Sequence, residues 1–309
     1  MFLENLSKFY KKHTKFFTKT FDLFIPNKSL RGYISTVLSF QDGPTCFLNK
    51  SKQLKKAYNK NTKHLLSIVA IMKNEGPYLQ EWIEYHRIIG VEKFYLYDNE
   101  SNDNTYEILK PYINRGIVEY ISFPGDKQQI PAYTHFINHY KQETHWVAVI
   151  DLDEFIVVKH GTIQKILNHY NNAAQIIVPW VFFGSNGHIK KPNGLVIENY
   201  TKRQKKPRLY KSIIDPQLAI KMQCHDHIVA GKTVFPKMNK IMINHYYCKS
   251  LQEFQRRTKR GDALNGKKFA LATFDKSNFD KFDVNEVYDP FILQYVDTIK
   301  NNIQKGIKK

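Results

Sequence analysis

Cysteine is scarce in this 309-residue chain: Cys46, Cys224 and Cys248 are too few and too scattered for a disulfide framework, which agrees with a reducing compartment. Long apolar runs are missing as well. The longest, such as 176–184, fall far short of the roughly 20 residues needed to cross a bilayer, and the N-terminus carries no apolar core followed by small residues of the signal type. No internal repeat or low-complexity tract occurs, and 42% apolar with 14% aromatic residues suffices for one large core, so a disordered chain is excluded. The expectation is a globular, cytoplasmic protein. Acidic residues are the other shortage: 28 stand against 47 basic ones, and the net charge of +19 implies an anionic partner, whether nucleic acid, phosphate groups or an acidic membrane surface. Residues 1–63 hold 13 Lys or Arg against 3 Asp or Glu, so +10 of that charge precedes the first strong strand signal.

Residues 1–25 read as a basic amphipathic helix ended by Pro26. Phe2, Leu6, Phe9, Phe16, Phe17, Phe21 and Phe24 recur at helical spacing, while Lys8, Lys11, Lys12, Lys15 and Lys19 mostly fall elsewhere. Such a helix suits an anionic leaflet, or it docks on the rest of the protein. Residues 26–63 read as a connection. From Leu65 the pattern becomes β-α-β: strands at 65–72, 93–97, 117–122 and 146–150 alternate with helices at 78–89, 105–114 and 131–141. This alternation predicts an α/β fold with a mostly parallel, Rossmann-like sheet covered by helices on both faces. After Asp153 the pattern loosens into β-rich stretches at 176–183, 195–201 and 240–247, with one clear helix at 251–260. The expected organisation is thus a basic N-terminal region over 1–63 and a domain over 64–309. Within that domain, residues 64–155 form a nucleotide-binding half, and residues 156–309 an acceptor-side half with a basic tail.

In an open α/β sheet, ligands bind beyond the carboxyl ends of the strands. Three ends carry polar groups: Lys73, Asn74 and Glu75 after the first strand, Asp98 to Asp103 after the second, and Asp151, Leu152, Asp153 and Glu154 after the fourth. Carboxylates there would repel a diphosphate unless a divalent cation intervened. Asp151 and Asp153 lie two apart, so in extended geometry they share a face while Leu152 points inward. Glu154 could cap the local turn or be a solvated carboxylate. Asp98 could bond a nucleoside or form an Asx-turn, and Ser101 and Asp103 fit helix caps. Asn74 and Glu75 could orient a nucleotide, whereas Trp82, Tyr85 and His86 lie at helical spacing and read as core.

The runs IMKNEGPYLQEWIEYHRIIGVEKFYLYDNESNDNT, HWVAVIDLDEF, WVFFGSNGH, INHYYCKS and EFQRRTKRG resemble glycosyltransferase family 92, over about 65–290. The DNESNDNT segment is also similar to the D-G-S-x-D-x-T turn of family 2 glycosyltransferases. The resemblance implies a GT-A fold, a UDP-sugar donor, manganese or magnesium at Asp151 and Asp153, and inverting transfer, of galactose first. It implies that His245 returns to the metal as a further ligand, which suits manganese. Lys249, with Arg257, Lys259 and Arg260, could neutralise the departing diphosphate or form a solvated basic face. Gly184, Ser185 and His188 could line the donor or acceptor pocket, or form a surface turn. Inversion needs a general base; Asp226 is the first choice, with Glu154 and Asp215 as alternatives. Two competing readings exist: a Cys2His2 zinc site from Cys224, His227, His245 and Cys248, and a non-catalytic basic protein binding polyanions. The carboxylates at strand ends oppose the latter, so no nucleic-acid partner is expected. The anticipated acceptor is a cell-surface or lipid-linked glycan, such as lipopolysaccharide or capsule, with residues 1–25 on the inner face of the membrane.

Overall fold

The computed structural model describes residues 2–12, 14, 28–260, 263–266 and 276–307. Helix α1 (Phe2–Lys12) packs on α2 (Lys28–Ser39) and α3 (Pro44–Lys56). Phe16, Phe17, Phe21 and Phe24, with the rest of the expected amphipathic helix and Pro26, lie outside the described residues. The face of α1 that docks is polar: the Ser7 hydroxyl donates to the Leu38 carbonyl, the Tyr10 and Ser35 hydroxyls meet at 2.6 Å, and the Lys11 ammonium donates to the Phe40 carbonyl. Leu3 and Phe9 stay exposed. The stretch expected to be a connection is therefore largely helical. Pro44 starts α3 at a position where its missing N–H costs nothing. Phe40 and Phe47 then bury against Ile220 and Ile228 of the main body.

Strands β1 (His64–Met72), β2 (Lys93–Asp98), β3 (Val118–Ser122) and β4 (Thr144–Val149) alternate with α4 (Gly76–Ile89), α5 (Thr105–Asn114) and α6 (Gln129–Tyr140), as the sequence predicts. Period-two alternation in β1 sorts its side chains onto two faces. Leu66, Ile68, Ala70 and Met72 pack with Leu79, Trp82 and Ile83 of α4, while Val69 and Ile71 pack with Ala132, Tyr133 and Phe136 of α6. Both faces are dry, so the strand reads as a continuous apolar run. Gly90 closes α4 in the left-handed region at φ 109°, where a side chain would be strained.

The chain continues through β5 (Glu154–Val158), α7 (Ile163–His169), β6 (Gln175–Phe182), α8 (Val196–Asn199), β7 (Lys202–Arg203), β8 (Leu209–Ile214), β9 (Ala219–Lys221), β10 (Ile228–Val229), β11 (Thr233–Val234), β12 (Ile241–His245), α9 (Leu251–Arg260), α10 (Lys276–Phe282), β13 (Val287–Tyr288) and α11 (Val296–Ile307). Among the described residues, nine strands form one sheet in the order β3-β2-β1-β4-β8-β6-β12-β5, with β11 beside β6. The pairs β1–β2, β1–β4, β2–β3, β6–β12 and β6–β11 are parallel. The pairs β4–β8, β6–β8 and β5–β12 are antiparallel. The fold is thus the expected α/β arrangement, a parallel half continued by a mixed, β-rich half. The stretch 195–201 departs from expectation: it is not a strand but the short helix α8. The buried Glu81 carboxylate accepts from the N–H groups of Val196 and Ile197 at 2.7 and 2.9 Å, which occupies donors a sheet would need.

Candidate active site

Because β1, β2 and β4 are parallel, Met72 pairs with Asp98 and Val69 with Val149. The loops after these strands therefore share one edge of the sheet. The antiparallel β5–β12 register adds the last component: His245 lies directly opposite Glu154. A histidine almost a hundred residues away in sequence is thereby set beside Asp153. Helix α4 fixes this corner from behind, since the Trp82 indole and the Tyr85 hydroxyl donate to the carbonyls of Glu154 and Ile156, both at 2.8 Å. His86 accepts from the Ile156 N–H at 3.3 Å. All three side chains are core, in line with their helical spacing.

At this edge a cleft of about 280 Å³ is lined by Asp151, Asp153, Lys211, His225, His245 and Arg257, among others. His245 Nε2 is 3.4 Å from Asp153 Oδ1, and its Nδ1 is 3.8 Å from Glu154 Oε1. Both ring nitrogens and Glu154 Oε1 are buried without a hydrogen-bond partner among the described residues. The ring is wedged against Trp180 and Phe182, with centroids at 4.4 and 5.0 Å. Burial lowers the His245 pKa, so the imidazole is neutral and its lone pair available. Burial works to raise the Asp153 pKa, but Arg257 and then His245 hold it well below the usual carboxylate range. The Arg257 guanidinium pairs directly with Asp153 and stacks 3.9 Å from the Tyr247 ring centroid. A buried carboxylate beside an imidazole whose nitrogens are unbonded fits a divalent cation that would take its remaining ligands from substrate oxygens and water.

Asp151 is oriented differently. Its carboxylate accepts from Lys211 Nζ at 2.8 Å and from Gln129 Nε2 at 3.3 Å, and it stays in the cleft wall. Among the described residues, no three His, Cys, Asp or Glu side chains converge on one metal position. The expected set of Asp151, Asp153 and His245 is thus assembled only as the pair Asp153–His245, because Lys211 draws Asp151 aside. The Cys2His2 zinc alternative is not formed. Glu154 is fully buried, not solvated: its Oε2 accepts from the Asp151 N–H at 3.0 Å and caps the local turn. Burial raises its pKa. Lys211 escaped the sequence reading, although a lysine at an inward position of the apolar strand LYKSII is a signal that a buried anion must face it. Asp151 and Glu154 hold the Lys211 pKa well above its ordinary value in spite of burial, which alone would lower it.

The remaining candidates divide. Glu75 is buried and lines the cleft, and Asn74 ties two loops, its N–H donating to Ser101 Oγ and its Oδ1 accepting from the Asn102 N–H, both at 2.8 Å. Both Asp98 oxygens are engaged within the protein, by the Ser101 N–H at 3.1 Å and the Tyr120 hydroxyl at 2.6 Å, and the neighbouring Asn99 lines the cleft instead. Asp103, one residue ahead of the N-cap Asn104, accepts from the Thr105 N–H at the start of α5 and also from the Gly76 N–H. Gly184, Ser185 and His188 lie outside the cleft lining. A Cβ on Gly184 would meet Asn285 Oδ1 at 2.4 Å, and the Ser185 hydroxyl donates to Asp283, so this loop is built for close packing. Asp226 is exposed and outside the lining, while His225 is in it. Asp215 is engaged by the Tyr58 hydroxyl at 2.7 Å. Lys249 is buried and lines a second cavity of about 440 Å³, which shares Glu75, Tyr247 and Arg257 with the first.

The family model of glycosyltransferase family 92 matches residues 69–292. A family 92 protein of Oryza sativa subsp. japonica is 30% identical over 203 residues, covering 61% of this chain and 35% of that protein. One of Ricinus communis is 30% identical over 195 residues, covering 59% and 35%. The match therefore spans about a third of the length of these curated relatives. Among solved structures, GalNAc-T7 with UDP, GalNAc and Mn2+ aligns at 13% identity and a TM-score of 0.39, covering 79% of this chain and 58% of that one. S. aureus TarS 1–349 aligns at 12% and 0.37, covering 77% and 73%. With the family motifs running from β1 to the segment before α11, this chain belongs to glycosyltransferase family 92.

Proposed function

We propose that this protein is a metal-dependent glycosyltransferase that moves a hexose, galactose first, from a UDP-sugar to an acceptor hydroxyl with inversion. The observation that carries the reading is the Asp153–His245 pair at the carboxyl edge of the sheet, where the buried ring nitrogens of His245 have no hydrogen-bond partner among the described residues. These two residues would hold manganese or magnesium, which when bound supplies the charge that stabilises a departing diphosphate. Arg257 and Lys211 add fixed positive charge on the same cleft wall, where the developing negative charge is poorly solvated. Asp151, held by Lys211 and Gln129, faces the donor, and Glu75 and Asn99 flank the nucleoside side of the cleft.

Proton transfer falls to His225. Its Nδ1 lies 3.1 Å from the Tyr210 carbonyl, an obligate acceptor, so the N–H is on Nδ1 and the lone pair on Nε2. The acceptor O–H proton passes to Nε2 as the oxygen bonds to the anomeric carbon and the bond to the diphosphate breaks, its electron pair leaving with UDP. The acceptor is a cell-surface or lipid-linked glycan at the inner face of the membrane, a reading motivated by the 13 basic residues against 3 acidic ones in residues 1–63.

The test is calorimetric binding of UDP as a function of Mn2+. Asp153→Asn and His245→Ala are expected to weaken metal-dependent UDP binding by about tenfold or more, with unchanged far-UV circular dichroism. UDP binding with the wild-type metal dependence in both variants refutes the assignment.

A further inference from the structure

The second cavity, of about 440 Å³, adjoins the cleft at the Asp153–His245 pair, and its charges do not cancel. Of its three carboxylates, Glu75 lies on the wall shared with the first cleft, and the other two are committed elsewhere. Glu253 accepts from the Tyr78 and Tyr200 hydroxyls, each at 2.6 Å, and from both the N–H and the hydroxyl of Ser250. Asp103 is used by the Thr105 and Gly76 N–H groups. Arg257 is taken by Asp153. Lys249 is the exception. The residue is only 8% exposed, yet among the described residues its ammonium has no carboxylate at ion-pair distance and no hydrogen-bond acceptor, Glu81 and Asp153 feeling its charge only from farther off, and it rests 4.3 Å from the Tyr78 ring centroid. Its backbone is left-handed at φ 49°, a strained state for a residue with a long side chain. A buried lysine stem on a strained backbone is unfavourable in isolation, and such strain persists where a site requires the side chain. Arg256 and Lys259 stand exposed at the mouth of the same cavity.

We infer that this cavity binds an anionic group, a phosphate or a carboxylate, carried by the sugar acceptor. The inference rests on the proposed transferase reading and adds the chemical class of its acceptor. The donor diphosphate is not the occupant. On the transferase reading it lies against Asp153 and His245, on the first-cleft side of the Tyr247–Arg257 stack, where Lys211 and Arg257 line the same wall. Lys249 faces the other side. Donor and anion are therefore held together across one shared wall, which places an acceptor beside the donor without competition for the same cations.

The experiment titrates the full chain, saturated with UDP and Mg2+, with inorganic phosphate and in parallel with acetate, by calorimetry. One of the two anions is expected to bind with one-to-one stoichiometry, phosphate identifying a phosphorylated acceptor and acetate a carboxylated one. Lys249→Gln is expected to weaken that binding by about tenfold, the scale of one lost charge-assisted contact. Arg256→Gln, at an exposed position, is expected to weaken it by about threefold. The exposed Lys240→Gln is expected to leave it unchanged. Anion binding that UDP abolishes, that neither Lys249→Gln nor Arg256→Gln weakens, or that all three variants weaken equally overturns the inference. Failure of UDP itself to bind would instead sink the transferase reading.

Discussion

His86 gives a prediction whose size follows from the structure. Its Nδ1–H donates to the Trp82 carbonyl at 2.8 Å, and its Nε2 accepts from the Ile156 N–H at 3.3 Å, so both nitrogens are committed and the ring is fully buried. A second proton would have to occupy the position to which the Ile156 N–H already points. Burial pushes the pKa down to about 3 from 6.5, against the upward pull of the Trp82 carbonyl. The sign follows: below 6.5 the unfolded chain takes up a proton that the folded chain refuses, so stability is complete above 6.5 and falls as pH drops towards 3. At about pH 5 the loss is roughly 2 kcal/mol, from about 1.36 kcal/mol per pH unit. Urea unfolding of the wild type and of His86→Gln at about pH 7.5 and about pH 5 isolates this contribution, because an amide can donate and accept in the same place without titrating. Glu81, raised by burial to about 7, shifts stability in the opposite direction, but it does so in both proteins and cancels. The variant is expected to lose about 2 kcal/mol less than the wild type on acidification. Equal losses in the two proteins refute the claim that His86 is held neutral between α4 and β5.

His225→Ala is expected to lower transfer turnover by about 10²–10⁴-fold while leaving UDP affinity unchanged, and Asp226→Asn to retain most turnover; steady-state kinetics with UDP calorimetry separates them. Burial, and next the charge of Lys211, lower the His225 pKa, so the acid limb of the turnover profile is expected below 6.5, and a limb above that value contradicts the assignment. Deleting residues 1–25 is expected to release the protein from anionic vesicles in a sedimentation assay while hydrolysis of the free nucleotide sugar continues. Loss of both together would mean that the polar docking of Ser7 and Tyr10 on α2 is a condition of folding and not of membrane attachment.

The parallel half is readable from sequence because burial on two faces leaves few alternatives: LLSIVAIM and FYLY admit little but central strands, and each is followed by a helix with one apolar stripe. The stretch 195–201 is not readable in the same way. Its apolar residues suit a strand, and only the distant Glu81, whose carboxylate takes two of its N–H groups, makes it a helical turn. The region 26–63 misleads for a related reason. Lysines in α3 mask the spacing of Pro44, Phe47 and Ser51, the residues that are buried.

At the site, local sequence identifies carboxylates but not their partners. Asp151 and Asp153 look equivalent in DLDEF, yet one faces Lys211 of β8 and the other faces Arg257 of α9 and His245 of β12. These partners come from strands and a helix whose neighbours are set by the sheet order, not by spacing along the chain. His245 was reachable only through resemblance, and its meeting with Asp153 depends on the antiparallel register that sets it against Glu154. Lys249 shows the converse. Its neighbours in sequence made it a plausible partner for the diphosphate, but the left-handed turn after β12 directs it past the Tyr247–Arg257 stack into a separate cavity. It is the backbone between His245 and Leu251, more than the charge of the residue, that sets Lys249 apart from the Asp153–His245 pair.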